Sequence, residues 1–317
     1  MLQKIEKYEI NKNIYFIVFI LTSSCSVSKA VKYLKEGQTS EKNFKVTFPF
    51  EIKNGFIVVN VEIENENYNF ILDTGTPTLI SKNIAQTLNL KVIDSVNASD
   101  VFNKEQSNEY VRIKNIRIGT IDFVDTVALI NDFNSIPMWS SLDIDGFFGA
   151  NLMQHAVWDI DFNKNQITIT DNESKLNLPE KIIENKFFIG YDRTPAIGCK
   201  INGEKIWNFT VDFGFSGDIV IPFSEFEKQK ESGQILDFTE SKVGGVIGIY
   251  GKQDKTRVSY TGKINEIEFG NSILTNEKVY SEQYLSHRFG LNFFKNYRVI
   301  LNWNSKKVKL IENYKSE

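Results

Sequence analysis

From Val46 onward the chain is a succession of short apolar runs rich in β-branched and aromatic residues, broken by polar turn-forming clusters. This is the pattern of a strand-rich protein rather than of long amphipathic helices. Val46 to Ile52 and Phe56 to Val61 flank Lys53-Asn54-Gly55. Asn-Gly tolerates positive φ, so a hairpin is predicted there. Tyr68 to Leu72 is predicted as a strand that delivers Asp73 into the turn Thr74-Gly75, and a second apolar run follows at Leu79-Ile80. Ser81 is an expected N-cap for a short helix with Ile84, Ala85 and Leu88 on one side. Strands are expected near 111–118 and 123–130, after a polar stretch at 95–108 that suits a mobile hairpin.

The pattern occurs twice. Asn208 to Val211 leads into Asp212-Phe213-Gly214, 139 positions after Asp73. Phe148-Gly149-x-Asn151 and Asp161-Phe162-Asn163 are answered by Phe289-Gly290-x-Asn292 and Asn302-Trp303-Asn304 at a constant offset of 141. Between these blocks the second repeat carries extra residues near the glycine-rich segment 243–251, which reads as a hairpin tip that moves. Its helix is expected to start at a Ser224–Glu227 capping box and to stop at Gly233. The duplication predicts an all-β, bilobal architecture of two homologous β-barrel-like lobes, each with one or two short helices. The expected boundaries are a signal peptide over 1–24, a tether over 25–43, lobe one over 44–170, a linker over 171–186 and lobe two over 187–313.

Composition changes this picture little. At 317 residues, with 41% hydrophobic and 13% aromatic content, both lobes can bury ordinary cores. A formal charge of −3 and the lack of a basic stripe argue against a nucleic-acid partner. The N-terminus carries a separate message. Lys4, Lys7 and Lys12 precede the apolar run 14–21, which is shorter than the roughly 20 residues a spanning helix needs. A basic region, a brief apolar core and small residues describe an export signal. Leu21-Thr22-Ser23-Ser24-Cys25 resembles the lipobox of bacterial lipoproteins, with Leu21 one place early. That resemblance implies lipidation at Cys25, export to the bacterial cell envelope and a membrane partner through the lipid, with plain secretion as the alternative. Setting Cys25 aside leaves only Cys199, so the folded part has no internal disulfide to rely on.

Two strand-borne aspartates in duplicated frames suggest a paired-carboxylate site. Leu72-Asp73-Thr74-Gly75-Thr76, with the later Phe147-Phe148-Gly149, resembles the signature of retropepsin-like and pepsin-like aspartic proteases, and 80–90 is similar to the helix after that motif in bacterial members. The resemblance implies that one aspartate from each lobe meets on the floor of a shared cleft, and that the Phe-Phe-Gly strand passes beside the aspartate turn. It implies peptide-bond hydrolysis of a peptide or protein substrate by Asp73 and Asp212, with no cofactor, no metal and a monomeric chain. Thr74, Gly75, Thr76, Gly214 and Ser216 would be positioning groups. The chemistry suits the residue types: one ionised carboxylate activates water while a protonated neighbour donates to the carbonyl oxygen. The aspartic protease dyad is a standard instance of two close carboxylates holding a single proton.

Two positions depart from the family pattern. Phe213 stands where Thr or Ser is usual and removes a hydroxyl that would bond across the lobes, which leaves Thr74 either unpartnered or turned to a backbone group instead. Arg288 stands where repeat one has Phe147, and a cation there would lower a nearby aspartate pKa. Both favour the alternative of a catalytically weak, lipid-anchored peptide-binding pseudoprotease. Other chemistries fit less well. Asp212-Phe213-Gly214 lacks the rest of a kinase site, the glycine-rich stretch lacks the Lys-Ser/Thr of a phosphate loop, and His155 and His287 have neither metal-ligand spacing nor a Gly-x-Ser-x-Gly nucleophile.

Overall fold

A computed structural model describes residues 28–99, 105–243, 246–248, 251–253, 257–283 and 285–312. The expected export signal and Cys25 lie outside the described residues. The protein is all-β and bilobal, with an aspartic-protease-like fold. In lobe one the strand order closes on itself where Glu105–Ile118 pairs with Ile121–Asn131. In lobe two Pro195–Ile201 pairs with Arg257–Phe269 to close the second barrel. Within these strands buried residues alternate with less buried ones, as in Pro195–Ile201, where Ile197, Cys199 and Ile201 are buried and Ala196, Gly198 and Lys200 are half-buried.

The lobes are joined by a continuous six-strand layer. Lys45–Pro49, Gln166–Thr170 and Val157–Asp161 come from the first repeat, and Tyr297–Asn302, Lys307–Glu312 and Ile183–Ile189 from the second. At its centre Asp159 is opposite Ile300, its own counterpart at the 141-residue offset. The pseudo-twofold axis that relates the repeats therefore passes through this pair. Arg298 grips Asp159 with two hydrogen bonds of 2.8 and 2.6 Å, fixing the register across the lobe boundary.

Several local expectations hold in detail. Asn54 and Gly55 both have positive φ, 47° and 90°, and join Glu51–Lys53 to Phe56–Ile63. Ser81 caps the helix Lys82–Thr87 by accepting the Ile84 N–H at 3.3 Å, and Ile84 and Ala85 are buried. Of the stretch at 95–108, residues 95–99 and 105–108 lie on two paired arms, Val92–Ser99 and Glu105–Ile118. The described parts of the glycine-rich segment include a short antiparallel pair, Val246–Gly248 against Gly251–Gln253.

Three expectations need adjustment. The second helix spans Phe223–Glu231 with Pro222 at its N-cap and no side-chain cap bond, so Ser224 already lies inside the helix. Gly233, at φ 72°, ends it as expected. Residues 28–39, expected within a tether, are packed on lobe one. Ala30 and Leu34 are buried beside Phe56 and Trp139, and Gln38–Thr39 pairs with Phe123 and Val124. Their apolar contacts are too few and too irregularly spaced to show as periodicity. The last residues of the expected linker are also strand, since Ile183 to Lys186 pair with Lys307 to Leu310 in the interlobe layer.

Trp158 sits where the interlobe layer meets the lobe-one core. It is fully buried, stacks at 6.4 Å on Phe123, meets Phe148 at 5.4 Å and donates its indole N–H to the Met153 carbonyl at 2.8 Å. Trp158→Ala is expected to destabilise the chain by about 3–5 kcal/mol in equilibrium denaturation, through the cavity it leaves.

Candidate active site

Each aspartate ends a strand that is held in the same way. In lobe one Gly146–Gly149 lies parallel to Glu66–Asp73, placing Gly149 opposite Asp73, and antiparallel to Leu79–Ser81. In lobe two Arg288–Gly290 lies parallel to Glu204–Asp212, placing Gly290 opposite Asp212, and antiparallel to Ile219–Val220. The segment after each aspartate is thus clasped around a short central strand. Two matching backbone bonds close the clasps: Ala150 N–H donates to the Thr76 carbonyl at 2.9 Å and Leu291 N–H to the Phe215 carbonyl at 2.7 Å. The closeness demands glycine, because a Cβ on Gly149 would lie 2.2 Å from the Pro77 carbonyl carbon. Lobe one adds a further brace. Buried Asn151 accepts the Thr78 N–H at 2.7 Å and donates to the Val127 carbonyl at 2.8 Å, whereas its counterpart Asn292 is exposed.

The two turns interlock. A methyl on Gly214 would fall 2.1 Å from Asp73 Oδ2, and one on Gly75 would fall 2.5 Å from Asp212 Oδ1. Each carboxylate therefore rests against the glycine of the other lobe, and both aspartates are buried. Thr74 ties the turns together. Its hydroxyl donates to the Val211 carbonyl at 2.6 Å and accepts the Phe213 N–H at 3.0 Å. Of the two outcomes expected for Thr74, a lost partner or a turn to a backbone group, the second is found: Phe213 removes the reciprocal hydroxyl, but the main chain of Val211 and Phe213 supplies what Thr74 needs. The Phe213 ring turns into the lobe-two core and meets Phe294 at 5.1 Å. The interlobe clasp is one-sided as a result.

The remaining sequence-predicted residues gather here with smaller parts. Gly75, Thr76, Gly214 and Ser216 are half-buried along the two turns. Thr76 acts through its carbonyl, as above, and Ser216 lies under the lobe-one hairpin tip, where a Cβ on Gly55 would come within 3.1 Å of its own Cβ. Among the described residues no hydrogen bond joins the Thr76 or Ser216 hydroxyl to either carboxylate. His155 lies away from the dyad against the Glu36 carbonyl, and His287 packs edge-on against Phe209 at 4.7 Å. Among the described residues no group of His, Cys, Asp and Glu could hold a metal ion.

Electrostatics separates the two aspartates. Burial raises the Asp73 carboxyl to about 8, and the charge of Asp212 adds to this, against the Gly75 N–H that its Oδ1 accepts at 2.7 Å. Burial raises Asp212 as well, but Arg288 opposes it directly: its Nη1 donates to Asp212 Oδ2 at 2.9 Å, and the pair is almost wholly buried. Of the two, Asp73 is the better place for a proton and Asp212 for the negative charge. Ser286, which sequence reasoning missed, accepts from Arg288 Nη2 through its hydroxyl at 3.2 Å and from Nε through its carbonyl at 3.4 Å. A serine two residues before a buried arginine gives no signal until that arginine is known to need an orienting partner.

A model of the aspartyl protease family matches residues 59–152, a span that holds Asp73 and the Gly146–Gly149 strand but not Asp212. A search of curated proteins finds no match. The family match and the two barrel-like lobes support an aspartic protease family and protease chemistry in general.

Because Asp73 is raised from an ordinary value of 3.8 to about 8, the folded chain keeps a proton that the unfolded chain releases in that window. Folding stability is therefore lost as pH rises from about 4 to about 8. Asp73→Asn removes this penalty. Its melting temperature is expected to gain on that of the parent progressively across the window, and to show the smallest gain near pH 4.

Proposed function

We propose that the protein is an aspartic endopeptidase that hydrolyses peptide bonds in the cleft between its lobes, with Asp73 and Asp212 as the reacting pair. The observation that carries this reading is the mutual seating of the carboxylates, each against the other lobe's glycine, in a site where burial favours one shared proton. In the productive state Asp212 is ionised and accepts a proton from a water whose oxygen attacks the carbonyl carbon. Asp73 gives its proton to the carbonyl oxygen. Collapse of the resulting gem-diol returns a proton to Asp73 as the diol hydroxyl becomes a carbonyl. The proton on Asp212 passes to the departing amine nitrogen. No acyl-enzyme forms and no cofactor enters.

Thr74, Gly75 and Gly214 hold the geometry, with Thr76 and Ser216 supporting the turns. The substrate is a peptide or protein, and the chain works as a monomer because both halves of the dyad come from one polypeptide. Its place is the bacterial cell envelope, with lipid on Cys25 as the membrane partner. Four residues separate Cys25 from Ala30, which is buried on lobe one, so the anchored enzyme would act close to the membrane surface.

A second reading is favoured by the Arg288–Asp212 ion pair and the one-sided Thr74 clasp. A carboxylate already neutralised by a guanidinium is a weaker base, and such a site could hold a peptide while turning it over poorly.

Digestion of a peptide library across acidic to alkaline pH separates the two. Cleavage is expected, falling as pH rises through about 8 when Asp73 loses its proton. Asp73→Asn and Asp212→Asn are each expected to lower the rate by roughly 100-fold or more. Peptide binding without cleavage by the parent would select the pseudoprotease, and full activity in Asp212→Asn would show that the second lobe is only scaffold.

A further inference from the structure

Arg288 occupies the place that Phe147 holds in lobe one, at the repeat offset of 141. There the ring of Phe147 packs edge-on against Phe133 and Trp139 at 5.1 and 5.4 Å. The fold therefore accepts an apolar residue at this point of the clasp, and nothing in its architecture requires a charge. Burying a guanidinium is costly, and a buried ion pair is seldom more stable than apolar residues of the same size. Arg288 is nonetheless buried, with Phe215 5.4 Å from its guanidinium carbon and Ser286 holding two of its nitrogens. That leaves Nη1 aimed at Asp212 Oδ2. The other oxygen, Oδ1, is the atom nearest Gly75 of lobe one and faces the interlobe side.

We propose that Arg288 is a positioning residue that decides which aspartate carries the shared proton, keeping Asp212 ionised through Oδ2 and leaving the proton on Asp73. The charge assignment rests on this geometry. Its consequence for catalysis rests on the hydrolytic reading above. In an unmodified pair of carboxylates the proton can sit on either member, and the singly protonated site carries a net charge of −1. Here the singly protonated site is neutral overall, with one donor and one acceptor of fixed identity. The groups facing Asp212 are Arg288 from the neighbouring strand, Asp73 and Gly75 from lobe one, and the Gly214 and Phe215 N–H groups of its own turn. Arg288 and Asp73 are the charged or titratable ones among them. Removing the guanidinium leaves Asp73 as the only such neighbour among the described residues, so both carboxyls become harder to ionise, and Asp212 the more so because it makes the direct contact.

The test is a carboxyl-carbon NMR titration of the full chain with labelled aspartate, assigned through Asp73→Asn and Asp212→Asn, for the parent, Arg288→Met and Arg288→Lys. In the parent Asp212 is expected to ionise first. In Arg288→Met its midpoint is expected to rise by about 1–3 pH units, with a smaller rise for Asp73, and Arg288→Lys is expected to stay near the parent. The acid limb of the peptidase profile should move up with Asp212 while the alkaline limb moves less, whereas a purely structural role would lower the rate at every pH without moving either limb. If Arg288→Met does not fold, Arg288→Phe, which installs the lobe-one residue, takes its place. An unchanged Asp212 midpoint, or a parent in which Asp73 ionises first, overturns the proposal. A shifted midpoint in a chain that cuts no peptide upholds the charge assignment and rejects the hydrolytic reading instead.

Discussion

Two carboxylates buried against one another cannot both carry a charge at an ordinary cost, and the rest of this protein is arranged around that constraint. Bringing them together takes two lobes, because each aspartate must end its own strand and face the other. The chain meets the requirement by repeating one design, a strand that ends in aspartate and is clasped beside a short central strand. Glycines at the point of contact remove the side chains that would keep the carboxylates apart. The interlobe layer, centred on Asp159 and Ile300, then fixes the angle at which the two designs meet.

The symmetry is incomplete where chemistry needs a difference. Thr74 spans the lobe boundary by itself, and the residue that would answer it, Phe213, has become part of the lobe-two core. The loss is modest because main-chain groups satisfy Thr74, so its buried hydroxyl keeps its partners. Arg288 breaks the symmetry in the opposite sense by adding a charge to one side. The first change concerns how firmly the turns are held, and the second concerns which of two like carboxyls holds a proton. Equal aspartates would share it, whereas here burial and one guanidinium set them apart.

Much of this was legible in the sequence because repetition is a strong signal. The matched frames around Asp73 and Asp212, and around Phe148-Gly149 and Phe289-Gly290, located the strands that adjoin each other in space. Alternating apolar runs and Asn54-Gly55 gave the hairpins for reasons of backbone sterics that act locally. What escaped notice depends on contacts between distant segments. Leu34 is buried in a cluster that includes Phe56 and Trp139 from distant segments, and the strand at 183–186 exists because Lys307 to Leu310 offers it an edge. Ser224 looked like a cap from its own neighbours, yet the helix begins a residue earlier, after Pro222, whose fixed φ suits a helix entrance. At the site, Phe213 and Arg288 were visible as departures. That Thr74 could turn to a backbone group was foreseeable, but not which groups it would find, nor the serine that aims Arg288, since each is defined by geometry rather than by residue type.

The proposed chemistry needs a neutral carboxyl at Asp73 beside an ionised one at Asp212. Infrared spectroscopy of the carboxyl stretch, recorded on the parent and on Asp73→Asn across neutral and mildly alkaline pH, observes that state directly. A protonated-carboxyl band that persists at pH 7, disappears near pH 8 and is missing from Asp73→Asn is the expected result. Identical spectra for parent and variant at pH 7, with no protonated carboxyl to lose, would contradict it.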